Sequence, residues 1–257
     1  MNLYQHFRKE EHHFLDQVLQ WRESVKTWYA PKLTDFLDPR EQEIVRLVIG
    51  NDPEVKLSFY GGAPFVERKR ALLYPEYFEP KQEEFELTLF EIKYPHKFVS
   101  LEHRQVLGSL MSLGLKRAKF GDILIKEERI QFIVAKDVAS YIQLNFDMVG
   151  KTKISLEELT LDNIVQLEEQ WLEETITVSS LRLDAVLAQT FHVSRQKVQL
   201  LIENGLVKVN WKITEEPHFE CKEGDTLSAR GFGRCKIFSI DGKTKKEKWR
   251  VRIGKQK

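Results

Sequence analysis

Cysteine is scarce in this chain of 257 residues: there are two, Cys221 and Cys235. Two thiols cannot by themselves complete a four-ligand zinc site or a disulfide framework. A reducing compartment is the expected setting. No stretch approaches the ~18 consecutive apolar residues that a membrane-spanning helix requires. The opening residues Met1-Asn2-Leu3-Tyr4-Gln5-His6 lack a basic segment followed by an apolar one. Secretion is therefore not expected, and the predicted location is cytoplasmic. Glycine is sparse too, at 13 residues. Gly61-Gly62 lacks the Gly-x4-Gly-Lys-Ser/Thr spacing of a phosphate loop and reads as a turn, and no glycine-rich dinucleotide loop is present. His12-His13, even with His6, make poor metal co-ligands, because adjacent side chains on a helix point about 100° apart. No metal, small-molecule cofactor or membrane partner is expected. What is present, 42% hydrophobic and 31% charged residues, is the composition of a folded globular protein.

Net charge is also nearly missing: 40 Lys+Arg against 39 Asp+Glu leave +1. That balance speaks against nucleic acid until it is counted by segment. Residues 176–257 hold 17 Lys+Arg and 9 Asp+Glu, a net of +8, whereas residues 1–175 hold 23 and 30, a net of −7. The Debye length is about 8 Å at physiological salt, so distant carboxylates do not cancel a basic face. A basic module on an acidic body points to a polyanionic partner.

Periodicity divides the chain into three domains of an α+β protein. Residues 1–80 read as a small α/β domain. Phe14, Leu15, Val18, Leu19 and Trp21 have helical spacing. A second helix is predicted over 39–49, with Asp38 as N-cap and Pro39 at the first helical position. A strand follows over 55–60. Residues 81–175 read as a ferredoxin-like (RRM-like) domain in the order β-α-β-β-α-β. Its predicted parts are a strand over 85–94, a helix capped by Ser100 and closed by Gly114, strands over 122–126 and 129–135, a helix capped by Asp137, and a last strand over 151–156. An acidic linking helix is expected over 156–173. Residues 179–257 read as a basic domain. Helices are predicted over 181–189 and 195–203, strands over 206–211 and 226–230, and a hairpin of 235–240 with 249–253 turning at Asp241-Gly242.

The informative string lies in this last domain. It runs Leu181-Arg182-Leu183-Asp184, then Val193-Ser194-Arg195-Gln196-Lys197, then Leu201-Ile202-Glu203-Asn204-Gly205-Leu206-Val207-Lys208-Val209-Asn210, with Gly224-Asp225 before a closing strand. Ser194 is a natural N-cap. Arg195 and Lys197 stand in the first helical turn, where the dipole disfavours cations by ~0.3–1 kcal/mol. Cations grouped there point to an anion at the helix start, whose free N–H groups already suit phosphate. Lys208, Asn210 and Lys212 follow on or just after the next strand, and Arg230, Arg234 and Lys236 extend the basic set.

Residues 181–236 resemble the RNA-binding domain named after small-subunit ribosomal protein S-four. The resemblance rests on Arg-Leu-Asp, Ser-Arg, Leu-Ile-x-x-Gly-x-Val-x-Val-Asn and Gly-Asp at matching spacing. It implies recognition of structured RNA through phosphate and shape, and it carries contacts onto Arg182, Ser194, Arg195, Lys197, Lys208 and Asn210. Trp211 departs from the pattern, since many members have glycine after the asparagine. Over the whole chain, Tyr4-Gln5-His6-Phe7-Arg8, Asp35-Phe36-Leu37-Asp38-Pro39-Arg40, Tyr60-Gly61-Gly62-Ala63, Leu107-Gly108-Ser109-Leu110-Met111 and Gly121-Asp122-Ile123-Leu124 resemble the bacterial YlmH family. That resemblance implies the three domains above. It also implies association with ribosomal RNA, the large ribosomal subunit and peptidyl-tRNA, in rescue or quality control of stalled translation.

Several readings stay open at this level. Arg182 and Asp184 can pair with each other for structure. Lys243, Lys245, Lys246, Lys248, Arg250 and Arg252 form either a solvated hairpin face or one facing RNA. Glu67-Arg68-Lys69-Arg70 is either ordinary surface or a second RNA contact. Phe85 and Phe132 are core residues or stacking platforms; the Lys/Arg-Gly-Phe/Tyr motif of sheet-stacking RNA binders is absent. An enzyme of the pseudouridine-synthase type is a rival reading, but only 73 residues follow Asp184, too few for such a catalytic domain. No glycine-rich loop for S-adenosylmethionine is present. A cell-division adaptor is a third reading.

Overall fold

The computed structural model describes residues 3–167 and 171–256. The chain divides into two compact units, Met1–Leu167 and Glu168–Lys257.

The first unit opens with helix α1 (His12–Trp28), strand β1 (Lys32–Leu37), helix α2 (Pro39–Ile49), and strands β2 (Lys56–Tyr60) and β3 (Lys69–Tyr74). The strands form an antiparallel sheet in the order β1-β3-β2. Helix α2 starts as predicted. The Asp38 carboxylate accepts from Glu41 N at 2.8 Å, and Glu41 Oε2 accepts from Asp38 N at 2.7 Å, a reciprocal cap. Strands β1 and β3 were not foreseen. The middle strand β3 buries Arg70, Ala71, Leu72 and Leu73 in succession, so it shows no alternation to read.

The unit continues with strand β4 (Leu87–Lys93), helix α3 (His103–Met111), strands β5 (Phe120–Lys126) and β6 (Arg129–Ala135), helix α4 (Lys136–Asn145), the short pair β7 (Met148–Val149) and β8 (Thr152–Lys153), and strand β9 (Ser155–Leu159). The sheet order β5-β6-β4-β9, antiparallel throughout, is the expected ferredoxin-like arrangement. Some details differ. Helix α3 starts after Glu102 rather than Ser100, and Gln105 Oε1 accepts from Glu102 N at 2.8 Å. Helix α4 starts before Asp137, whose carboxylate instead takes Lys119 Nζ at 2.6 Å.

Both faces of this sheet are covered. Phe90, Ile92, Phe132 and Val134 pack under α3 and α4 with Val106, Leu110 and Ile142. Leu89, Leu124, Ile133 and Ala135 pack on the other side with Phe36, Ala63, Val66, Ile164 and Val165. Gln131, fully buried, ties the covering segment down. Its Nε2 donates to Asn163 O at 3.1 Å, and its Oε1 accepts from Val165 N at 2.8 Å. The face on which ferredoxin-like RNA binders stack bases is therefore closed. Phe132 and Phe85 are 1% and 3% exposed and are core residues. Phe85 sits in a single turn before β4, not in the strand.

In the basic run at 67–70 the two arginines, Arg68 and Arg70, are used inside the fold. Arg70, 6% exposed, donates Nε to Thr34 O at 2.7 Å and Nη1 to Phe85 O and Glu86 O at 3.0 Å each. Burial lowers its pKa. Arg68 donates to Phe120 O and Phe36 O at 3.1 and 2.9 Å. These guanidiniums tie strands β1 and β5 and the turn at 85–86 together by satisfying backbone carbonyls.

The second unit holds strand β10 (Trp171–Val178), helices α5 (Leu183–Phe191) and α6 (Arg195–Glu203), and strands β11 (Val207–Val209), β12 (Lys212–Ile213), β13 (Thr226–Ala229), β14 (Gly233–Lys243) and β15 (Trp249–Gln256). The linking helix expected over 156–173 is not there. Its first residues belong to β9 and its last to β10, and positions 168–170 lie outside the described residues. β10 pairs with β15 along its whole length and buries Ile176 and Val178, which decides strand over helix. The sheet order is β10-β15-β14-β13-β11-β12, and α5 and α6 cover one face. Asp241-Gly242 is a bulge within β14 rather than the hairpin turn. The chain reverses at 244–248, where Thr244 N donates to Lys248 O at 2.7 Å.

Candidate nucleic-acid interface

Asp184 is the anchor of the site. It stands in the first turn of α5 with no exposed surface. Arg182 reaches it through Nε and Nη2 at 3.2 and 3.0 Å, and Arg195 through the same two atoms at 2.9 and 3.0 Å. Gln199 Nε2, one turn further along α6, adds a bond of 2.8 Å. Burial alone would raise the Asp184 pKa. The bonds from Arg195, Gln199 and Arg182 outweigh it and hold the carboxylate below its ordinary range. The pair foreseen between Arg182 and Asp184 is thus one half of a clamp, and Gln199 is a member that no motif had marked.

The two guanidiniums are not consumed by the clamp. Their side chains remain 42% and 44% exposed, and each Nη1 takes no part in these bonds. Two arginines share one carboxylate, so a positive charge is left over. Ser194 caps α6 by accepting from Lys197 N at 3.3 Å. Its hydroxyl has a structural task at the same helix start. Lys197 carries its ammonium over the Phe232 ring, 5.3 Å from the centroid, and the Phe191 ring lies 5.7 Å from the same centroid. Phe232 lies in the turn between β13 and β14, beside exposed Arg230, whose N–H donates to Leu206 O at 2.9 Å. The structure therefore brings Arg182, Ser194, Arg195 and Lys197 to the side where α6 begins, while the Arg230 backbone is tied to Leu206, after the end of that helix.

The remaining sequence candidates separate. Lys208, Arg234 and Lys236 lie on the sheet face that the helices leave open, as their core-facing neighbours Val207, Val209, Cys235 and Ile237 show. Lys212 pairs with Val209 at the edge strand and is exposed. Asn210 is placed as a turn residue. Its Nδ2 donates to Asp225 Oδ1 at 2.8 Å, and its Oδ1 accepts from Thr226 N at 2.9 Å. Asn210 and Trp211 both have positive φ, 49° and 64°, and form the two-residue loop from β11 to β12. Trp211 thus keeps the turn that glycine usually makes, and its ring lies 5.5 Å from the Arg234 guanidinium. Cys221 and Cys235 are buried, and burial pushes both thiols up, Cys235 to about 12. Neither is a reactive nucleophile.

Comparison with known proteins fits this geometry. Residues 181–227 match the model described as "S4 domain", and residues 80–163 match the one described as "Putative RNA-binding domain in YlmH". The chain is 51% identical over 258 aligned residues, 100% of itself and 99% of its relative, to "Ribosome-associated protein quality control protein P2" of Bacillus subtilis (strain 168). The chain belongs to the YlmH family. A solved structure, "Cell division protein ylmH from Streptococcus pneumoniae", aligns with TM-score 0.54 and 35% identity, covering 64% of this chain and 100% of that one. An "Uncharacterized RNA pseudouridine synthase" of Aquifex aeolicus (strain VF5) is 35% identical over 51 residues, 20% of this chain and 21% of that protein. In this family member the RNA-binding module has the Asp184 clamp at its centre. No helix among the described residues is long and apolar enough to cross a membrane.

Proposed function

We propose that this YlmH-family protein is a non-enzymatic RNA-binding factor. It docks on ribosomal RNA and peptidyl-tRNA at the large ribosomal subunit, in the cytoplasm, during rescue or quality control of stalled translation. The observation that carries the reading is the pair Arg182 and Arg195, fixed by one buried carboxylate beside the N-terminus of α6 and Lys197. Preorganised guanidiniums lose little freedom on meeting phosphate, and they bind it in a fixed fork. The printed name of the Bacillus relative supports the ribosomal setting. The match to the synthase reaches only 21% of that protein, too little to include a catalytic domain. The acidic remainder of the chain limits indiscriminate coating of RNA.

Neutralising roughly 5–8 phosphates gives log affinity against log salt a slope of about −4 to −7. The Arg195→Gln/Lys197→Gln protein should show a slope flatter by about one to two units with its melting transition retained. Sedimentation with the large subunit, abolished by ribonuclease, is the matching ribosomal result. Unchanged RNA affinity in the folded double variant would remove this site, and a new pseudouridine or methyl group on incubated ribosomal RNA would turn the reading to an enzyme.

A further inference from the structure

The helices α5 and α6 cover one face of the six-stranded sheet, and among the described residues no helix of this unit covers the opposite face. Strand alternation shows what it presents. Along β15, Val251 and Ile253 are fully buried on the helix side, so Arg250, Arg252 and Gly254 point the other way. Along β14, Cys235 and Ile237 are buried, so Arg234 and Lys236 share that outer face. Register makes these into one row. Lys236 pairs with Gly254, and Arg252 with Ser239 beyond the bulge. On the far flank Lys208 aligns with Ser228, and Ser228 with Arg234. At a rise of ~3.4 Å per residue, the cations recur about every 7 Å along the strands, and the row from Arg234 to Arg250 extends about 20 Å.

The surroundings keep four of these charges available. Among the described residues, Lys208, Lys236, Arg250 and Arg252 have no ion-pair partner. Glu173 lies on this face, and Asp241, beside it, is bonded to Ser239 Oγ at 2.7 Å. Between the cations stand Ser228, Ser239, Gly254, Thr175 and Thr177, and the half-buried Phe238 and Trp171 share this face. At Gly254 the Phe238 ring and the Trp171 Cβ close over the bare backbone, where an added Cβ would lie 2.6 Å from Phe238. The face is cationic along its centre, with the apolar side chains of Phe238, Trp171 and Ile213 beside the row. A protein-binding surface is depleted of charge at its centre, whereas here the centre is a row of cations. Most of the row lies on β14 and β15, after the end of the S-four match at residue 227.

We infer that the open face of this sheet, through Lys208, Arg234, Lys236, Arg252 and Arg250, binds the phosphate backbone of a second RNA segment, distinct from the one held at the start of α6. This rests on the RNA-binding reading above and extends it: the module is two-sided and bridges two RNA elements. Hydroxyls between the cations add hydrogen bonds to phosphate oxygens, and no base need be read.

The test uses the full chain and a structured fragment of ribosomal RNA, with affinity measured across a salt series. Arg250→Gln/Arg252→Gln removes two charges from the face and leaves Val251 and Ile253 in the core. Lys245→Gln/Lys246→Gln removes the same charge from the 244–248 turn, off the face. The first pair should flatten the salt slope by about 1.5–2 units and the second by less than half of that. The first pair should also deprotect RNA nucleotides other than those deprotected by Arg195→Gln/Lys197→Gln. Equal slopes for the two glutamine pairs, or deprotection of the same nucleotides as the α6 pair, would overturn the inference while the α6 site stands. If the α6 pair also leaves the RNA affinity unchanged, the RNA reading itself fails. An unchanged RNA slope overturns the inference even where the same pair weakens binding to a protein.

Discussion

Arg195, the first residue of α6, holds Asp184, in the first turn of α5, by two parallel bonds of 2.9 and 3.0 Å. The carboxylate has no exposed surface, while the guanidinium remains 44% exposed. One residue is thus wholly inside and the other faces outward, and the bond between them sets both the helix–helix junction and the aim of the binding group.

Asp184→Asn tests that arrangement. The amide keeps the volume but presents N–H groups to guanidinium donors and removes a charge that offsets two arginines. A hydrogen bond to a charged group contributes about 1.5–3 kcal/mol, and a loss of about 2–4 kcal/mol is expected for the second unit. A denaturant titration should show its midpoint moving down, with RNA affinity falling as Arg182 and Arg195 lose their fixed direction. An unchanged midpoint would mean that the clamp contributes nothing to folding.

Glu91 predicts an acid limb for the first unit. Its side chain is 8% exposed and receives Lys93 Nζ at 2.5 Å, Arg129 Nε at 2.9 Å and Gln131 Nε2 at 3.0 Å. Burial would raise its pKa, but the bonds from Lys93, Arg129 and Gln131 win and lower it from 4.5 to about 2. A depressed carboxylate stabilises the fold above its unfolded pKa and loses that contribution as pH falls through the folded value. The window is therefore pH 4.5 down to about 2. The contribution is about 3 kcal/mol at neutral pH, of which about 2 kcal/mol is gone by about pH 3. Urea midpoints at neutral and acid pH should drop more for the native protein than for Glu91→Gln. Parallel drops in the two proteins would rule this group out.

Trp211 separates strain from contact. Its φ of 64° is a conformation that costs a residue with Cβ about 1–2 kcal/mol, and glycine adopts it freely. Both Trp211→Gly and Trp211→Ala lose the ring beside Arg234. The glycine protein should nonetheless be the more stable of the two by about 1 kcal/mol, read from thermal or urea unfolding. Equal stabilities would show that the turn carries no backbone strain.

Much of this architecture is legible in the residues. Asp38-Pro39, Ser194 and Asn204-Gly205 announce helix ends through local hydrogen bonding and backbone freedom, and the structure uses each at its place. The ferredoxin-like order follows from apolar spacing and turn residues. Strands β1, β3 and β10 were hidden because their identity depends on partners far along the chain. Arg70 sits in a run that looks solvated, and only its three distant carbonyls reveal it as buried.

The sequence by itself determined that a basic module follows an acidic body, and that the module carries the S-four spacing. Charge count and local caps need no third dimension. Tertiary structure decided how those charges are used. It joined Arg182 and Arg195 on Asp184, tied Asn210 to Asp225, and closed both faces of the central sheet. It also sorted the remaining cations onto two sides of one sheet. Hydrogen-bond partners and strand register join residues far apart in the chain, so the aim of a charge depends on the folded neighbours that pair with it.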